Sequence, residues 1–168
     1  MKRFAFPILS ILFICLVAVN PADAVSQTYK SSEGKFKVKF PGAIDIKEEK
    51  KEKSTTKKIS CNENNNAYFV NWTEHKITMK DQKKMAEVSL DSFLESLGGN
   101  VSNKEDWNLK KYVGRKAKIS LEEEKAVVHY RVILVGQNQY QVIVTAKKKD
   151  FDAKAAEKFF KSFKVSKQ

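Results

Sequence analysis

Glycine, histidine, arginine and cysteine are all scarce in this chain, and each shortage removes a class of function. Six glycines in 168 residues leave no Gly-rich loop to cradle a nucleotide phosphate. The two histidines, His75 and His129, stand far apart, with no cysteine or carboxylate at zinc-ligand spacing around them. One ligand is not a site, so no metal centre is expected. A nucleophile needs a base and an orienting group, and no such constellation stands out. No catalytic residue and no cofactor is therefore assigned.

Arginine is limited to Arg3, Arg115 and Arg131, although basic residues outnumber acidic ones by 32 to 20. Specific phosphate and base readout favours the planar, bidentate arginine fork, so no specific nucleic-acid partner is expected. Lysines scattered among glutamates read as a solvating surface, with a weak attraction to anionic surfaces that salt would screen. The cysteines are Cys15 and Cys61. Cys61 reads as a small core residue, with a redox role as the minor alternative.

Residues 1–24 read as a secretory signal peptide. Lys2 and Arg3 give a basic start, Ile8 to Val19 an apolar stretch, and Ala22-Asp23-Ala24 a small-x-small cleavage site. The apolar stretch is shorter than the ~20 residues of a membrane span, so no transmembrane segment is expected after cleavage. Removal would take Cys15 with it, so Cys61 would have no intramolecular disulfide partner. Without Lys2, Arg3 and Asp23 the net charge of +12 becomes about +11. The remaining residues 25–168 suit one domain with a full core.

The longest apolar stretch, Ala126 to Ala146, is two runs of β-branched and aromatic residues flanking Gly136-Gln137-Asn138-Gln139. Runs that are apolar at nearly every position belong to the middle of a sheet, buried on both faces, so this is the expected central hairpin. Lys35 to Phe40 alternates lysine with Phe36, Val38 and Phe40, the pattern of a half-buried strand ended by Pro41-Gly42. Ile44 to Cys61 is a solvated hairpin or loop. Ala67 to Trp72 is a strand with Tyr68, Val70 and Trp72 on one face. Val101 to Gly114 reads as a link, and Arg115 to Leu121 as a strand. Glu122-Glu123-Glu124 is expected to be a solvated turn.

Two helices are predicted. Asp81 to Leu97 has Ala86, Leu90, Phe93, Leu94 and Leu97 at helical spacing, with Gly98-Gly99 as the stop. Asp152 to Phe163 has the stripe Phe151, Ala155, Phe159, Phe160 and Phe163, with Asp150 or Asp152 as cap. The fold class is α+β, a single domain whose antiparallel sheet is covered by helices.

The ordered set F-x-V-x-F-P-G (Phe36 to Gly42), Y-x-G-R (Tyr112 to Arg115), R-V-I-L-V-G-Q-N-Q-Y-Q-V-I-V (Arg131 to Val144) and A-x-x-F-F-x-S-F-K-V (Ala156 to Val165) resembles the PsbP-like fold family. The likeness is to its small secreted bacterial members in particular. It implies an antiparallel sheet sandwiched by helices (α/β/α) and, for function, a docking module. In that family the fold serves as photosystem extrinsic subunits and as a nuclear-import regulator that binds a small GTPase. No shared catalytic residues come with it.

The expected function is thus an exported, periplasmic or secreted, non-enzymatic accessory protein that docks an envelope or secreted protein partner. One alternative is a weak electrostatic binder of anionic envelope polymers or membrane surfaces. Another is an unrecognised hydrolase. His129 and Arg131, on one face of the central hairpin, are the candidate anion or partner contact.

Overall fold

The computed structural model describes residues 25–98, 100–121 and 125–166. Residues 1–24, expected as a signal peptide, and Glu122-Glu123-Glu124, expected as a solvated turn, lie outside them. Ten strands and two helices run in the order β1 (Gln27–Ser31), β2 (Phe36–Phe40), β3 (Asp45–Lys51), β4 (Ser54–Glu63), β5 (Asn66–His75), α1 (Gln82–Leu97), β6 (Asn100–Leu109), β7 (Tyr112–Leu121), β8 (Ala126–Val135), β9 (Asn138–Lys147), α2 (Ala153–Ser162) and β10 (Lys164–Val165). Seven strands form one antiparallel sheet in the order β3-β4-β5-β9-β8-β7-β6, and β1, β2 and β10 form a second sheet in the order β1-β2-β10.

The predicted hairpin is β8–β9, and β9 is the middle strand of seven. Val135 pairs with Asn138, leaving Gly136-Gln137 as a two-residue turn. Gly136 has φ +62° while Gln137 stays at negative φ, and glycine takes a positive φ without the Cβ penalty. Val132 to Val135 and Val142 to Val144 are buried on both faces. The outer ends of both strands alternate, with His129, Arg131, Gln139 and Gln141 only half-buried.

Helix α1 covers one face. Ala86, Leu90 and Leu94 are its buried stripe, packed with Ile119, Val128, Tyr130 and Val132. Asp81 caps its N-terminus by accepting from the Lys84 N–H, and Gly98 ends it in the left-handed conformation. The other face carries α2 and the small sheet side by side. Phe36, Val38, Phe40, Phe159, Phe160 and Phe163 press onto Tyr68, Val70, Trp72, Tyr140 and Val142. Helices therefore cover both faces, as expected, but α2 shares its face with a second sheet. The Tyr140 hydroxyl donates to the Gly34 carbonyl at 2.7 Å, tying the β1–β2 turn to the central strand. Asn66, 2% exposed, donates to the carbonyl of Asp150 and accepts from the N–H of Asp152, clamping the approach to α2.

Several boundaries differ from the sequence expectation. The supposed link from Val101 to Gly114 is strand β6 and the start of β7, a hairpin closed by Lys110-Lys111. As an edge strand, β6 buries little beyond Trp107 among its described side chains, so it needs no apolar alternation to be stable. Strand β2 joins the second sheet rather than the main one, between β1, which has no fully buried residue, and β10, which is two residues long, so neither leaves a sequence signal. In α2 it is Ala156, not Ala155, that is buried, and Asp152 is the cap.

Two glycines separate space from conformation. A Cβ on Gly114 would sit 2.1 Å from the Val132 carbonyl oxygen, whereas one on Gly98, at φ +62°, would meet nothing within 4 Å. Gly98→Ala should cost about 1 kcal/mol through backbone strain alone. Gly114→Ala should cost about 3 kcal/mol or more, because the β7–β8 pairing has to part. Denaturant unfolding of the two variants checks this ranking.

Candidate partner-binding groove

Alternation along β8 sends Tyr130 and Val132 toward α1, and His129 and Arg131 toward α2. The two candidate residues do share a face, as predicted, but α2 covers them and gives them different surroundings. The Arg131 guanidinium lies 4.0 Å from the centroid of Phe160 and 5.8 Å from that of Trp107. It donates to the Glu157 carboxylate at 2.6 Å. Burial pulls its pKa down, and Glu157 opposes that pull. A half-buried cation needs such a partner, so much of Arg131's charge is engaged within the protein.

His129 lies against Phe151, ring centroids 4.4 Å apart. Burial, reinforced by Lys118 and Arg131, holds its pKa down at about 4. The imidazole is therefore neutral at physiological pH and contributes no charge to an anion site there.

Arg131 forms part of the floor of an open groove of about 370 Å³ between α2 and the β6–β7 edge of the sheet. Trp107, Phe160 and Phe163 line it from opposite sides. Lys116, Lys161 and Lys164 stand along it, with Asp106 among them. Lys116 is paired with Glu105 at 2.7 Å. Asp106 accepts from Lys83 at 2.9 Å and from Arg115, and these two donors hold its carboxyl below the usual range. Among the described residues, Lys161 and Lys164 have no ion pair. The groove thus combines a fixed arginine and cations at the α2–β10 end, over aromatic side chains that are almost wholly buried. Trp107 was the residue sequence reading missed as a wall: a lone tryptophan in a polar stretch was the available signal.

The other chemistry-bearing residues are dispersed. Among the described residues no group of three or more His, Cys, Asp or Glu is gathered as for a metal ion. Cys61 is buried in the core, where burial pushes its thiol up to about 11, so it stays protonated and unreactive at neutral pH. Ser54 and Lys57 have serine–lysine spacing, but both lie on β4, where positions three apart point to opposite faces. Lys57 is bound to Glu33 and Glu48. His75 shares a hydrogen bond with Gln139 at 2.9 Å.

The depressed His129 pKa has a definite sign. The unfolded imidazole takes up a proton near pH 6.5, its usual value, while the folded one resists until about 4. The unfolded state is then favoured as pH falls through that window. Wild-type melting temperature should drop more between about pH 7 and pH 4.5 than that of His129→Phe, which keeps an aromatic ring but cannot titrate. Parallel curves for the two proteins would contradict the assignment.

No family model matches the chain, and no curated protein sequence matches it. A solution structure of cyanobacterial PsbP (CyanoP) from Synechocystis sp. PCC 6803 superposes with a TM-score of 0.57, covering 89% of this chain and 98% of that one at 12% identity. A crystal structure from Bacteroides thetaiotaomicron VPI-5482 covers 84% of this chain and 48% of that one, at 13% identity and a TM-score of 0.42. The α+β architecture and the first of these superpositions agree: the chain has a PsbP-like fold.

Proposed function

We propose that the protein is an exported, non-enzymatic accessory protein that docks a protein partner in the groove between α2 and the β6–β7 edge. The observation that carries this is the fixing of Arg131 between Phe160, Trp107 and Glu157. An arginine held rigid at a groove is the kind of residue that anchors protein interfaces. Lys161 and Lys164 add cations at one end, suited to a partner segment with an acidic residue. Export is supported by the basic start, the apolar stretch Ile8 to Val19 and the Ala22-Asp23-Ala24 site. Among the described residues no helix is long and apolar enough to cross a membrane.

Affinity capture from the envelope and secreted fractions of the host, with wild type and Lys161→Glu side by side, tests this reading. A stoichiometric partner should be retained by wild type and weakened at least about tenfold by the charge reversal, at the larger end of rim-charge effects. Equal recovery with both proteins, or no partner with either, would count against the groove.

A further inference from the structure

The layer formed by α2 and the small sheet has an outer surface on which lysine is gathered. In that sheet Lys30 stands directly opposite Lys37, and Lys37 directly opposite Lys164, so three like charges lie in one row across three strands. Lys39 follows on β2 with the same outward parity, Lys35 precedes β2 in the β1–β2 turn, and all five are exposed. Beside them α2 exposes Lys154, Lys158 and Lys161. Among the described residues none of these eight takes part in a salt bridge. The layer's acids are mostly engaged elsewhere. Glu33 is held by Lys57, Glu157 by Arg131, and Asp152 by the backbone N–H groups of Lys154 and Ala155. Asp150 stands apart, ahead of the helix.

This arrangement is not what solubility requires. The β3–β4 hairpin is equally rich in lysine, yet Lys47 pairs with Asp45, Lys50 with Glu48 and Lys51 with Glu49. Mixed signs solvate a surface without the repulsion that like charges directly opposite on neighbouring strands incur. The small sheet carries that repulsion unrelieved, and an external anion relieves it.

We infer that this lysine face docks onto the anionic headgroups of a phospholipid bilayer. Lysines here are point charges on a three-stranded sheet, without the arginine fork that selects one phosphate. They spread in two dimensions, about 5 Å apart across strands and about 7 Å along them. That matches a plane of charges better than a single linear polyanion. Of the large exposed apolar side chains, Ile46, Ile77, Val88 and Val101 lie outside this face, and Val25 stands two residues ahead of β1. Attachment would therefore be mainly electrostatic. The inference goes beyond the groove reading and does not depend on it.

Vesicle co-sedimentation of the protein as purified from its host tests it. Phosphatidylcholine vesicles with and without phosphatidylglycerol are compared at about 0.1 M and about 1 M salt, where screening lengths are about 10 Å and 3 Å. Binding should require phosphatidylglycerol and disappear at the higher salt. Lys30→Gln with Lys37→Gln and Lys164→Gln should weaken it about a hundredfold, at about fivefold per lysine near an anionic surface. The same charge removed at Lys76, Lys80 and Lys84, beside α1 on the other face of the large sheet, should change it less than about threefold, through the long-range field alone. Unchanged melting of both variants confirms that they fold. Three results would overturn the inference: no dependence on phosphatidylglycerol, equal loss in both triple variants, or retention by soluble polyphosphate without binding to the vesicles.

Discussion

Packing of Val132 to Val135 against Val142 to Val144 is the constraint on which the rest of the structure depends. A strand pair buried on both faces must be covered twice, and the two cores are the two coverings. Helix α1 supplies one with a stripe of small and branched side chains. The other requires more area than a ten-residue helix provides, so the small sheet lies beside α2 and both contribute phenylalanines. Tyr140 shows how tightly the layers are joined. Its ring packs between Phe36 and Phe163, and its hydroxyl finds a carbonyl in the β1–β2 turn, as buried phenols usually do.

That second covering produces both surfaces of interest. Placing α2 over β8 traps Arg131 against Phe160 and leaves a groove toward the β6–β7 edge. Turning the phenylalanines of β2 inward turns its lysines outward, and pairing with β1 and β10 aligns Lys30 and Lys164 with them. The alternating pattern of β2 therefore has a consequence that a single strand does not show. Lysines that look scattered along the chain become one row once three strands are in register.

Much of the fold was legible. Period-two alternation marked β2 and β5, unbroken apolar runs marked β8 and β9, and helical spacing marked α1 and α2. The losses have a common cause. Strand β6 is an edge strand with one deeply buried large side chain, so its sequence, NVSNKEDWNL, carries no alternation. Strands β1 and β10 exist only because β2 offers them hydrogen-bonding edges. Of the candidate site, the pairing of His129 and Arg131 on one face followed from their spacing of two. Their surroundings did not. Glu157, Phe160 and Trp107 come from α2 and β6, remote in sequence from Arg131.

By itself the sequence determined which segments must be buried, because burial writes a period of two or of 3.6 into the order of apolar residues. It also determined the chain's charge and its lysine bias. Only the tertiary structure decided which lysines would stand together, which acids would be occupied elsewhere, and what Arg131 would face. Local pattern records whether a side chain points in or out. The register between strands and the crossing of helix over sheet decide what it meets when it gets there.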